Sequence, residues 1–294
     1  MANLKDLKNR ISSVKSTRKI TKAMQMVAAA KLRRAQEAAE NARPYAQQFE
    51  AVMGQLAASV GDSPTAPLLL RGTGQEETFL LVVMTAEKGL CGGFNTNIVK
   101  RAQVRIRDLQ SRGKTVKIVT VGKKGRAVLR RTHGDMLIDH VDLSDVKTVG
   151  YGNAQEIAQG VLKRFDASEF DVAYIYYGEF ENTMTQVPTE QQIIPAHFDA
   201  PEGDAASGSN TLFDYEPSEE AILADLLPRS VSTQIFAALL ENAASEQGAR
   251  MTAMDNATRN ADDMVENLNR EYNRTRQAVI TNELIEIISG AEAL

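Results

Sequence analysis

From Leu4 to Val60 apolar residues recur at heptad spacing. Leu4, Leu7, Ile11 and Val14 open the series, Ala28, Leu32, Ala35, Ala39, Ala42 and Ala46 continue it, and Phe49, Met53, Leu56 and Val60 close it. A period of 3.5 held this long predicts a helix that winds left-handed about a partner. At 1.5 Å per residue it would reach roughly 85 Å, longer than an ordinary domain is wide. Pro44 is the expected kink or break, Gly54 weakens the last turns, and Gly61-Asp62-Ser63-Pro64 should stop the helix. The stripe is polar at Arg18, Thr21 and Gln25. Two readings stand at this point: a register-setting polar layer inside a coiled coil, or a part of the helix that faces something outside the pair.

A second long helix is expected from Ser218 to Ala293. Ser218-Glu219-Glu220 supplies a cap and acids for its first turn, and Pro228 should kink it. Ile235, Leu239, Ala243, Met254, Ala257, Met264, Leu268 and Tyr272 form its apolar stripe. Between the two helices the pattern changes. Phe79–Thr85 is a continuous apolar run, the mark of a buried parallel strand. Thr115–Val121 and Asp171–Tyr177 read as further strands, with helices expected over Thr96–Ser111, Lys123–Arg131 and Asn153–Phe165. Thr183–Ile194 reads as an edge strand, because Pro188 cannot donate to a ladder, and Gly203–Asn210 as a flexible loop. This alternation predicts an open α/β sheet. The domains expected are a shaft of residues 1–60 with 218–294 and an α/β foot of residues 61–217. The two end helices would pair antiparallel, with the sheet inserted at one end.

Charge sharpens this arrangement. Residues 1–60 carry a net charge of +7 and residues 218–294 a net charge of −7, which would favour pairing of the two ends. Lys15–Arg34 holds seven cations and no acid around the smooth run Met24-Gln25-Met26-Val27-Ala28-Ala29-Ala30. Trp is absent and aromatics are 5%, so packing must rely on Ala, Leu, Val, Ile and Met. No run of eighteen apolar residues is present, so no transmembrane helix is expected. The opening MANLKDLKNRI lacks the apolar core of a signal peptide, which points to a chain that acts where it is made.

Chemistry is sparse. Gly89-Leu90-Cys91-Gly92-Gly93-Phe94-Asn95 lies between a strand and a helix, where a phosphate-binding turn would sit. It matches neither the dinucleotide nor the P-loop spacing, and neither does Gly122-Lys123-Lys124-Gly125-Arg126. Close backbone packing is the plainer reason for these glycines. Cys91 and the histidines His133, His140 and His197 form no recognisable catalytic or metal-ligand spacing. The basic helix lacks the aromatic interleaving of a nucleic-acid surface. Function is therefore expected in shape and contact. Two rivals remain open: a nucleotide-binding α/β enzyme with coiled-coil arms, and a homodimeric coiled-coil scaffold.

Three blocks carry a resemblance over essentially the whole chain: Ser16–Ala35 (STRKITKAMQMVAAAKLRRA), Gly89–Asn95 (GLCGGFN) and Ser245–Leu294, within which Ile280, Thr281, Glu283, Glu286, Gly290 and Ala291 keep a characteristic spacing. Asn182–Pro188 (NTMTQVP) adds a fourth. Glu87-Lys88 stands before the second block, where similar chains often carry other polar residues. The sequence resembles the gamma subunit family of bacterial F-type ATP synthases. The resemblance implies a long antiparallel coiled coil of the two chain ends with an inserted open α/β (Rossmann-like) sheet, and the role of a non-catalytic rotor shaft that couples proton-driven rotation of a membrane c ring to the beta catalytic sites. It implies one copy per complex beside alpha, beta, epsilon and delta subunits, no cofactor, no nucleic acid, and a peripheral place on the cytoplasmic face of the inner membrane through the c ring. Contacts with the alpha–beta ring are implied for Lys15, Arg18, Lys22, Met24, Met26, Lys31, Arg33, Arg250, Gln277, Thr281 and Glu283. Contacts with the c ring and epsilon are implied for Arg43, Tyr45, Phe213, Asp214 and Tyr215. The helix beyond about Thr281 should outrun its partner and need the ring to bury Leu284, Ile285, Ile287 and Ile288.

Overall fold

The computed structural model describes residues 4–60, 66–198 and 219–292. Two helices dominate it: α1 (Leu4–Val60) and α6 (Glu219–Glu292). Between them run α2 (Leu68–Arg71), β1 (Thr78–Met84), α3 (Phe94–Ser111), β2 (Thr115–Val121), α4 (Lys123–Thr132), β3 (Leu137–Val141), α5 (Tyr151–Asp166), β4 (Val172–Phe180) and β5 (Gln186–Ile194). The fold is thus an α/β sheet carried on a pair of long terminal helices. Both α1 and α6 continue through their prolines, Pro44 and Pro228. Pro228 does not end its helix because Leu223, Leu227, Val231 and Ile235 are fully buried on either side of it. That packing holds both flanks in place, and packing rather than propensity decides a long helix.

The sheet order is β3-β2-β1-β4-β5. The first four strands are parallel and β5 pairs antiparallel with β4. Pro188 sits in β5, the edge strand its ring permits. β1 lies at the centre with parallel neighbours on both sides, and only Thr78 of its seven residues is not buried. Its side chains alternate between two cores, as successive strand residues must. Phe79, Leu81 and Val83 meet Phe94, Ile98, Val99 and Ile106 of α3 and Leu129 of α4. Leu80, Val82 and Met84 meet Ile157, Ala158 and Val161 of α5 and Val231, Ile235 and Leu239 of α6. The lower part of α6 is therefore a layer of the foot as well as half of the shaft. β3, Leu-Ile-Asp-His-Val, has no counterpart among the expected strands. It is a five-residue edge with no fully buried position, so it offers neither an apolar run nor a clean alternation.

Candidate functional site

The shaft is built from the α1–α6 seam upward. At its base Met53 and Leu56 of α1 meet Leu223 and Leu227 of α6 and Ala196. Midway, Ala28 and Leu32 are buried. Near the N-terminus of α1, Leu7 and Ile11 close over Leu268, with Val14 and Tyr272 packed against them. The three polar positions of the stripe all reach α6: Thr21 and Gln25 from within the seam and Arg18 from its exposed edge. The Thr21 and Thr258 hydroxyls are 2.8 Å apart and buried. The Gln25 amide donates to Asp255 at 2.9 Å, and Arg18 pairs with Asp262 at 2.7 Å. Thr21 and Gln25 thus form a register-setting layer between the two helices rather than an outward-facing surface, whereas Arg18 bridges to α6 with its side chain still 44% exposed. The physical reason is that α6 presents acids and a hydroxyl at matching heights. The +7 and −7 ends meet at few points: most cations of the collar stay in solvent.

The faces turned away from the seam form the surface free for partners. Lys15, Lys22 and Lys31 are exposed, and so is Arg33, which pairs with Glu37 of its own helix at 3.0 Å. Met24 is half-buried, whereas Ile20, Met26 and Val27 are each more than half exposed. A smooth apolar strip therefore runs between flanking cations. Above Tyr272 α6 has no further apolar packing on α1 among the described residues. Every described side chain from Arg276 onward is exposed, among them Val279, Ile280, Leu284, Ile285, Ile287 and Ile288. Among the described residues the apolar packing on α1 ends at Leu268 and Tyr272, and continuous exposure begins at Arg276, more than a turn before Thr281. Gln277, Thr281 and Glu283 all stand on this tip, and the Thr281 hydroxyl donates to the Gln277 carbonyl one turn back. At the other end Tyr45 is 65% exposed and stacks on Phe49. It lines an apolar cavity of about 250 Å³ with Ala42, Tyr151, Phe236 and Leu240. Phe213, Asp214 and Tyr215 lie outside the described residues, as does the Arg43 side chain.

Arg250 has a different setting. Its side chain is 12% exposed and pairs with Glu246. It also donates to the Lys88 and Gly89 carbonyls, so it fastens the glycine-rich turn to the shaft. In that turn Leu90 (φ 63) and Gly92 (φ 57) are left-handed, and the Asn95 side-chain Oδ1 accepts from the Ala86 amide at 2.8 Å. Strand order reverses at this edge of β1, the place where open α/β sheets hold ligands. Here α6 fills it. Phe94 packs so closely on Gly178 that a Cβ there would sit 2.5 Å from its ring. Asn242 and Glu241 of α6 accept from the Gly178 and Phe180 amides at 3.1 and 3.0 Å. The cavity left, lined by Cys91, Asn97, Gln186 and Thr252 among others, is about 180 Å³. That falls below the roughly 300 Å³ at which small-molecule pockets begin. Burial pushes the Cys91 thiol above its usual value, the opposite of what a nucleophile needs. Glu87 also has work inside the fold: it accepts from the Lys123 and Leu143 amides and joins the end of β1 to two neighbouring loops.

A family model described as ATP synthase matches residues 3–294. A protein named ATP synthase gamma chain from Ruegeria sp. (strain TM1040) is 72% identical over all 294 residues of both chains. The one so named from Paracoccus denitrificans (strain Pd 1222) is 66% identical over the full length of both. The chain belongs to the ATP synthase gamma chain family. Among solved structures, a chain of the Tetrahymena thermophila mitochondrial ATP synthase central stalk and c-ring is similar at 26% identity and a TM-score of 0.60. That likeness covers 81% of this chain and 99% of that one. A chain of the Euglena gracilis mitochondrial ATP synthase shares the fold at 22% identity and a TM-score of 0.66, over 99% and 94%. Among the described residues no helix of this family member is long and apolar enough to cross a membrane.

Proposed function

We propose that the chain is the central rotor shaft of an F-type ATP synthase. In this reading a c ring driven by proton flow turns the foot, and the shaft forces each beta site through its conformations. ATP chemistry takes place in beta and not in this chain. One copy serves each complex, beside alpha, beta, epsilon and delta, on the cytoplasmic face of the inner membrane. One observation carries the reading: a bare helical tip that exposes six large aliphatic side chains beyond the end of its coiled coil. A surface of that kind marks an interaction site. A hydrophobic sleeve at the top of an alpha–beta ring would cover it. Below the tip the collar of Lys15, Lys22, Lys31 and Arg33 would meet acidic groups of the ring in exposed pairs worth about 0–1 kcal/mol each, weak enough to form and release as the shaft turns. Met24 and Met26 give the same face a soft surface without hydrogen bonds to break. Arg18, paired with Asp262 at the exposed edge of the seam, would also face the ring, Arg250 would act chiefly from within the foot, and Gln277, Thr281 and Glu283 would be polar contacts on the tip. Arg43, Tyr45, Phe213, Asp214 and Tyr215 are assigned to the c ring and epsilon.

A charge crossing 100 mV yields about 2.3 kcal/mol, so several protons must be summed per step through a shaft that resists twisting. The welded lower half of α6, packed against the sheet and α1 together, supplies that stiffness. Reconstitution with alpha and beta subunits tests the reading. One copy of this chain should co-purify with a ring of alternating alpha and beta that hydrolyses ATP. Removal of residues 276–292 should weaken retention in the ring and leave the foot folded. Recovery of the chain only as a free homodimer would sink the proposal.

A further inference from the structure

A further cavity, larger than the two above, is at the opposite end of the sheet from the glycine-rich turn. It lies where β1, β2 and β4 begin, between the 71–76 loop and the last turns of α3, and measures about 350 Å³. Four cations line it, Arg71, Arg105, Arg112 and Lys114, against one acid, Glu76. We propose that this cavity is a binding site for a phosphate group, either free phosphate or a phospholipid headgroup.

The four cations differ in how far they are already satisfied. Arg112 is held by two bonds to Asp108, at 3.1 and 2.9 Å, and Lys114 by Glu77 at 2.8 Å. These acids stand behind the wall rather than in it, and they fix the two cations in place. Arg105 is held by its flat face. Its guanidinium lies 5.0 Å over the Tyr174 ring and one amino group donates to the Tyr174 hydroxyl at 3.1 Å. It forms ion pairs with Asp108 and Glu190 at 3.6 and 3.7 Å, longer than hydrogen bonds. Its Nε is buried and finds no acceptor among the described residues. A guanidinium stacked on a ring, with ion pairs longer than hydrogen bonds, is suited to an oxyanion, which can take two parallel N–H bonds. Arg71, at the end of α2, makes no ion pair among the described residues. The loop that follows turns through Gly72 (φ 73) and Gly74 (φ 75), and a Cβ at Gly74 would meet nothing within 4 Å. At Gly72, by contrast, a Cβ would stand 2.7 Å from Pro195, so the loop is packed at one end of the cavity and open at Gly74. Asp171, just before β4, is turned to the Glu77 and Thr78 amides at 3.0 and 2.9 Å and to the Thr73 hydroxyl at 2.8 Å. These bonds absorb its charge.

The test uses the full chain with two probes: inorganic phosphate in equilibrium dialysis, and flotation with phosphatidylcholine vesicles with or without phosphatidylglycerol. Salt near 0.1 M cuts the reach of exposed charges to about 10 Å and suppresses diffuse charge effects. Binding should fall about tenfold in Arg105→Gln. It should fall about threefold in Arg71→Gln, whose exposed side chain leaves folding unaffected. Arg130→Gln, an exposed cation of α4 outside the cavity, should change nothing. This pattern with free phosphate identifies a soluble ligand. The same pattern only with phosphatidylglycerol vesicles identifies a lipid headgroup, and either result supports the site. No binding of either probe, or equal weakening by Arg130→Gln, overturns it.

Discussion

The sheet layer and the upper shaft solve the same problem, a long chain held in one shape, by opposite means. In the sheet, β1 has parallel neighbours on both edges and helices on both faces, and Leu80, Leu81, Val82, Val83 and Met84 are each 0% exposed. Backbones approach until only glycine fits. In the upper shaft, two helices touch along one narrow stripe. A threonine pair, a glutamine and an arginine replace the leucines that a dedicated seam would carry. The difference teaches what each region is free to do. A close-packed layer is stiff because any displacement opens a void or a clash. A two-helix seam with polar rungs fixes register while most of its circumference stays available. Rigidity is concentrated in the foot, where torque would enter, and open surface in the shaft, where it would be delivered.

The contrast is broken most severely at Gly122. Its φ is +93, and a Cβ there would stand 2.1 Å from the Thr85 carbonyl oxygen, which is backbone and cannot swing aside. Gly122→Ala should cost at least about 3 kcal/mol or abolish cooperative folding, as read by urea denaturation. A cost below about 1 kcal/mol would show that the layer is softer than described. Leu80→Ala should cost about 2–5 kcal/mol through the cavity it leaves. Met26→Ala on the exposed strip of α1 should stay within about 0.5 kcal/mol. If the two costs were similar, the distinction between layer and strip would fail.

Asp171 gives a smaller effect with a pH signature. Burial pushes its carboxyl up, but hydrogen bonds from the Thr78 and Glu77 amides and the Thr73 hydroxyl outweigh this and hold it below its usual value. A carboxylate depressed on folding stabilises above its unfolded pKa near 4 and loses that stabilisation as pH falls through the lower folded value. Asp171→Ala should therefore cost about 1–2 kcal/mol at neutral pH, and the gap to the parent chain should close as the solution is acidified below about pH 4. A gap that widens on acidification would contradict the assignment. The smallest effect has the opposite sign. Gly290 lies on the bare tip, where an added Cβ would meet nothing within 4 Å. Gly290→Ala should raise the helical stability of the tip by about 0.5–1 kcal/mol, detectable as slower amide exchange there and nowhere in the foot.

Much of this was legible in the chain itself. Phe79–Thr85 announced a buried parallel strand, because a strand covered on both faces is apolar almost throughout, and Thr115–Val121 coincides with β2, which is buried at Val116 and from Ile118 to Val121. Pro188 marked an edge strand by what it lacks, a donor. The pairing partners of Arg18, Thr21 and Gln25 were not legible. The α1 pattern alone cannot say that Asp262, Thr258 and Asp255 arrive at the same heights from a helix at the far end of the chain. Nor could the sequence reveal that the glycine-rich turn is stapled by Arg250, since a guanidinium bound to carbonyls leaves no motif. β3 escaped because Asp139 and His140 interrupt a short edge. The cations of the cavity are scattered from Arg71 to Lys114 and converge only once the sheet is folded.

The rotor reading has a direct test in single-molecule rotation. Met184 is 82% exposed on the foot, so Met184→Cys gives a probe site. Cys91 is buried, with a thiol that burial pushes up, and should not compete for the label. With the chain assembled in an immobilised alpha–beta ring, a bead on position 184 should turn in one direction in discrete steps when ATP is added. Steady ATP hydrolysis with the bead stationary would contradict the account.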